Sequence, residues 1–277
     1  MWRFSVLEKT LRDQKWQIAG FGVALALMAA LDMSIWPAYK DQLQNFEIPA
    51  AFQAFLGDMS IATGPGFLSA EFFSWIPILL IVYAVIAGTG AIAGEESAGS
   101  MDLLLAQPVS RQALVLQKTA AVCVGSVLIV AIGYVGFAVS MPFVTIDVTL
   151  GDVAIGCANM LPVTLFFFAL SLWLGAVAPS RAIAAGTAIA IVTASYFVYT
   201  VANGVDVLRN LQYASPFYYY GTGKSLVEGF NWPHVGLLLG LAVVFVAAAL
   251  RTFERRDVVA GGATEVGMAG MLRRALG

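Results

Sequence analysis

The sequence predicts an all-α integral membrane protein: six transmembrane helices, with a short cytoplasmic helix between the second and third. Three observations carry that reading. Of the 277 residues, 60% are hydrophobic and only 12% charged, against roughly 25% charge in an ordinary soluble domain. The apolar residues gather into six runs long enough to cross a hydrocarbon core about 30 Å thick. The 15 lysines and arginines fall mainly on one side of those runs.

The six runs lie at about 17–36, 72–93, 113–141, 153–178, 182–203 and 233–251. The first follows a basic stretch and ends in Met-Ala-Ala, as a signal peptide does. Its long basic region argues for a retained anchor. With both termini in the cytoplasm, 12 of the 15 basic residues are cytoplasmic, and only Lys40, Arg209 and Lys224 fall outside. The acidic residues show no such split, as the positive-inside rule expects. Residues 1–277 therefore read as one multi-pass domain in the cytoplasmic (inner) membrane, with N and C termini inside and the lipid bilayer as its main environment.

Two outer segments are long. Within 37–71, Phe52, Phe55 and Leu56 sit at helical spacing between Pro49 and Gly64-Pro65-Gly66, which suggests a short helix at the outer interface. Within 204–232, Tyr213, Phe217, Tyr218, Tyr219, Tyr220 and Trp232 cluster. They form either an aromatic belt at headgroup level or a re-entrant segment that lines an outer exit. Phe217, Tyr218, Tyr219 and Tyr220 are the candidates for an outer gate.

Several chemistries find no support. A net charge of −2 gives no electrostatic case for nucleic acid. His234 is the only histidine, and Cys123 and Cys157 lie inside apolar runs, so no resident metal or other cofactor is expected. Gly221-Thr-Gly-Lys-Ser225 resembles a phosphate loop, but Tyr218 stands where the first glycine belongs and no strand precedes it. The chain is therefore expected to have no ATP site of its own. No catalytic Ser/His/Asp, Cys/His or carboxylate set appears, so it is not read as an enzyme. Gly90-Ala-Ile-Ala-Gly94 and Gly236-Leu-Leu-Leu-Gly240 fit the spacing for close helix packing, expected within the chain, with a subunit interface as the alternative. Asp32, Glu71, Asp152 and Asp206 stand near outer helix ends, leaving no mid-membrane carboxylate for a proton relay. Energy for any transport must come from elsewhere.

The polar insert 94–111 carries the clearest functional signal. Gly94 ends the second run, Ser97 is placed to cap a new helix, and Met101, Leu104 and Leu105 share one face. Pro108 stops the helix and Arg111 opens the third span. A surface helix that meets anionic lipid is normally rich in Lys and Arg. This one carries Glu95, Glu96 and Asp102, which points to docking on a protein.

The stretch from Ile92 through Gly-Glu-Glu-Ser-Ala-Gly-Ser-Met-Asp-Leu-Leu-Leu-Ala-Gln-Pro-Val-Ser-Arg to Lys118 resembles the signature of ABC-2 type transporter permeases. Phe253-Glu-Arg-Arg-Asp257 after the last span is similar to that family's exit motif, and Leu11-Arg12-Asp13 and Ser215-Pro216-Phe217 to weaker features. The resemblance runs through nearly the whole chain; Ser100-Met101, where Thr-Leu is frequent, is a mild departure. It implies the membrane subunit of an ATP-driven exporter, whose coupling helix, within 94–111, sits in a groove of a separate ATPase. Glu95, Glu96, Met101, Asp102, Leu104, Leu105 and Arg111 would make that contact. Two permease chains, in the simplest case a homodimer, would work with two ATPases, which bind the ATP and magnesium. The alternatives are a secondary transporter or channel without an ATPase, and an ATPase-coupled scaffold that moves no solute.

Overall fold

The architecture comes from a computed structural model, described here for residues 5–43, 63–97 and 110–255. Among the described residues there is no strand, and six helical stretches are long and apolar enough to cross a membrane.

The first is α1, Val6–Leu43. At 1.5 Å per residue it is about 57 Å long, well beyond a bilayer core. It outruns the predicted span at both ends, and Pro37 lies inside its last turns.

The second stretch runs Gly64–Ser97 in pieces. α2 is Gly64–Leu68, followed by a π-helical turn at Ser69–Phe73. α3 is Ile76–Thr89, followed by a second π-helical turn at Gly90–Gly94 and then α4, Glu95–Ser97. Gly64-Pro65-Gly66, expected to bound an interfacial helix, starts this span. Thr63 caps it by accepting from the Gly66 N–H, and proline is tolerated in a first turn because its missing N–H would be unpaired there. The expected helix around Phe52, Phe55 and Leu56 lies outside the described residues.

The third span is α5, Arg111–Ser140, capped by Ser110, whose hydroxyl accepts from the Ala113 N–H. The fourth is α6, Leu150–Val177, opened by a capping box in which Thr149 and Asp152 each accept from the other's backbone N–H. The fifth is α7, Arg181–Gly204. A 3₁₀ stretch at Asp206–Ala214 and two short helices follow, α8, Pro216–Tyr220, and α9, Ser225–Glu228. The sixth span is α10, Trp232–Arg255.

α6 is the hub. Residues such as Val153, Val163, Phe167 and Leu172 are buried all round it, because α3, α5, α7 and α10 pack on its sides. Where helices approach closely, glycine makes the room. A Cβ on Gly88 of α3 would stand 2.8 Å from the Phe168 carbonyl oxygen, and one on Gly136 of α5 would run into the Ala26 backbone of α1. The two expected glycine pairs do neither. Gly236 and Gly240 meet nothing within 4 Å, and Gly90 and Gly94 face the Arg181 side chain. The expectation of helix packing at Gly236 and Gly240 within the chain is therefore wrong: they lie on an open face of α10. α7 and α10 are the least covered spans, and Ile189, Phe197, Leu237, Val243 and Val244 point outward.

Candidate functional site

The start of α1, the end of α4, the start of α5, the start of α7 and the end of α10 meet at one end of the bundle. Most of the described basic residues gather there, and it is called the basic end below. Lys118, two turns into α5, turns inward and is only 5% exposed. Its ammonium donates to the Ala91 carbonyl at 2.8 Å and to Glu95 Oε1 at 2.7 Å. Ala91 belongs to the π-helical turn, where the widened helix departs from the ordinary i to i−4 pattern. Lys118 thus fastens the last turns of the second span to the third. Glu95 keeps 25% of its side chain exposed, and Glu96 is half-buried beside it.

Ser97 does not open a new helix as the sequence suggested. It lies within α4, and its hydroxyl donates back to the Ala93 and Gly94 carbonyls. The helix continues past Gly94 because glycine is no obligatory stop when tertiary contacts hold the next turn. Met101, Asp102, Leu104, Leu105 and Pro108 lie outside the described residues.

Arg111 opens α5 as expected, and its guanidinium reaches α10. It donates to the Phe253 carbonyl at 3.1 Å and sits 5.5 Å from the centre of that buried ring. Next to it, the Gln112 amide donates to Glu254. Two motifs 142 positions apart, Ser110-Arg111-Gln112 and Phe253-Glu254, are therefore in contact.

At the opposite end, residues 205–229 fold into the bundle. The Ser215 hydroxyl donates to the Ser195 carbonyl, nine residues inside α7, or about 13 Å below its end. Asn159, nine residues inside α6, donates to the Tyr220 carbonyl at 2.8 Å. Phe217 reaches deeper and packs on Phe167 and Tyr196. Non-helical backbone at membrane depth is stable only when protein surrounds it and its polar groups are paired. The first condition holds, since Ser215, Phe217, Tyr220, Ser225 and Leu226 are buried. The second holds for Ser215 and for Tyr220, whose hydroxyl donates to the Phe73 carbonyl at the break between the two halves of the second span, while the buried Ser225 hydroxyl has no hydrogen-bond partner among the described residues. The segment is a wedge inserted in the bundle, and Phe217 and Tyr220 are buried in it rather than set on the outer surface. Tyr218 and Tyr219 remain half-buried at its mouth against His234. Gly221 through Gly223, the loop that resembled a phosphate cradle, has positive φ throughout and makes the turn between α8 and α9. Gly223 presses on Ser69 so closely that a side chain would not fit.

The sequence pattern of the ABC-2 family transporter proteins matches residues 7–258. The chain belongs to the ABC-2 transporter family. No curated protein matches it. This ABC-2 chain is a multi-pass membrane permease of an ABC transporter, a class whose members work with an ATPase.

The candidate site residues of this ABC-2 permease divide into groups. Glu95, Glu96 and Arg111 come together at the basic end, but Glu95 and Arg111 also hold the permease itself together. Phe217 and Tyr220 anchor the wedge, while Tyr218 and Tyr219 border it. Two residues gained roles that the sequence did not assign, and a third is unexpectedly buried. Lys118 only closed the stretch that resembles the family signature, with no partner named, and Asn159 was given no role. Asp32 was placed near the far end of the first span, and it is only 4% exposed, with Oδ2 lacking a hydrogen-bond partner.

Proposed function

We propose that the chain is the permease subunit of an ATP-driven exporter in the inner membrane, with the basic end and both termini in the cytoplasm. It binds neither nucleotide nor metal; ATP and magnesium are held by a separate ATPase that docks on the segment between Ser97 and Ser110. Residue type supports the docking reading: Met101, Leu104 and Leu105 offer an apolar face and Glu95, Glu96 and Asp102 an acidic one. The observation that carries it is the bracing of both ends of that segment. Its entry is fixed by Lys118 on Glu95 and Ala91. Its exit is fixed by Arg111 and Gln112 on the end of α10. A force applied to the segment therefore reaches the second, third and sixth spans together, which is what a coupling element must achieve.

On this reading ATP binding closes two ATPases, the motion passes through the braced segment, and the spans rock between inward- and outward-facing states. The wedge of Phe217 to Tyr220 lies at the outer end, where it gates the exit. Two permease chains assemble, because two ATPases need two docking segments and one six-helix bundle encloses little room. Few charged groups line the spans, which favours an amphipathic or hydrophobic substrate.

The test is co-purification of the tagged full chain with its ATPase. Asp102→Lys with Leu104→Ala and Leu105→Ala should reach the membrane at normal levels and lose the ATPase. Undiminished ATPase recovery and ATP-dependent transport by the triple variant would contradict the docking assignment.

A further inference from the structure

A cleft of about 440 Å³ opens between the ends of α6 and α10, lined by Ala176, Val177, Arg251, Thr252 and Arg255. Arg251 and Arg255 are one turn apart and share a face. Both are exposed, and among the described residues neither is in an ion pair. The nearby Glu254 is occupied by Gln112. The Thr252 hydroxyl donates back to the Ala248 carbonyl. The cleft is a shallow, open groove at the basic end with two arginines on its wall.

The surface leading to it identifies the occupant. Leu237, Leu241 and Val244 are exposed along α10 at three- and four-residue spacing. The same stripe continues through Ala248 to Arg251 and Arg255. Trp232, 69% exposed at the start of the helix, lies 19 residues before Arg251, or about 28 Å along the axis. That matches a hydrocarbon core of about 30 Å, so the tryptophan and the arginines stand at opposite headgroup levels. An apolar stripe that ends in two cations fits an amphiphile with an anionic head. A purely water-soluble anion would not use the stripe, and an acidic protein surface would meet the arginines from the aqueous side only.

We propose that this cleft holds the phosphate headgroup of an anionic phospholipid, with Arg251 and Arg255 on the phosphate and the acyl chains along α10. Guanidinium groups suit this role because they present paired N–H donors to phosphate oxygens. Basic pockets between spans are known to select such headgroups.

The full chain, delipidated in neutral detergent and titrated with phosphatidylglycerol or phosphatidylcholine, is to be read by native mass spectrometry. One phosphatidylglycerol per chain should be retained in preference to phosphatidylcholine, and millimolar inorganic phosphate should not displace it. Arg251→Gln with Arg255→Gln should weaken phosphatidylglycerol binding about 30-fold, as expected for losing two cations at a headgroup surface. Val177→Trp, which fills the cleft and keeps both charges, should weaken it as well. Equal retention by the wild type and both variants would overturn the proposal. So would loss in the arginine variant alone, which indicates diffuse attraction, or displacement by phosphate, which indicates a simple ion site. Loss of the ATPase from the arginine variant with lipid retention intact would reassign the cleft to protein docking.

Discussion

Lys118 and Glu95 form one ion pair but depend on it unequally. Lys118 is sealed inside the bundle, whereas Glu95 reaches water. Removing the side-chain acceptor leaves the buried ammonium with the Ala91 carbonyl, and Glu95→Leu should cost about 3 kcal/mol, the low end for breaking a buried pair. Removing the cation leaves a carboxylate that water solvates, and Lys118→Met should cost about 1 kcal/mol, as for a surface pair. The double variant should recover most of the loss. Thermal midpoints in detergent at one heating rate test this ordering, and equal losses in the two single variants would count against it. In the wedge, Asn159→Leu strands the buried Tyr220 carbonyl and should cost about 1–3 kcal/mol, while Tyr219→Phe at the mouth should change the midpoint little. Sequence patterns gave the residue types at the basic end but not the pair, because a separation of 23 positions between Glu95 and Lys118 exceeds any helical period. Only the packing of the second span on the third brings them together.

At the scale of elements, the number and order of the spans were legible because each carries about 20 apolar residues. The breaks inside them were not. The π-helical turns at Ser69–Phe73 and Gly90–Gly94 leave hydropathy unchanged, so an uninterrupted run and a broken one look alike. Gly64-Pro65-Gly66 resembled the bound of an interfacial helix, but glycine and proline also begin helices. The aromatic cluster of 213–220 resembled an interfacial belt because the composition of a belt and of a buried wedge is the same; the difference lies in Asn159 and Phe73, which pair with Tyr220, and in Ser195, which pairs with Ser215. Glycine spacing misled for a related reason. Close approach depends on which face meets a neighbour, and the face of Gly236 and Gly240 meets none. Gly136→Leu should therefore drive α5 from α1 and lower yield and thermal midpoint sharply, whereas Gly240→Leu should fold normally. Comparable destabilisation by both substitutions would contradict the packing described.

For the molecule as a whole, the segregation of basic residues sets an orientation that labelling can check. Ser97→Cys at the basic end should react with an impermeant thiol reagent only from the cytoplasmic side. Val207→Cys at the far end, on a residue 91% exposed, should react only from outside. The reverse pattern would invert the proposed topology. The larger claim is that this ABC-2 permease is braced to receive force from an ATPase and works as a pair. Native mass spectrometry of the complex purified through the tagged full chain, with ATP hydrolysis assayed on the same sample, tests that claim most directly. The account predicts two six-span chains with two ATPases in an ATP-hydrolysing assembly. A stable, active complex with one permease chain and no second membrane subunit, or a transport-competent chain that binds no ATPase, would contradict it.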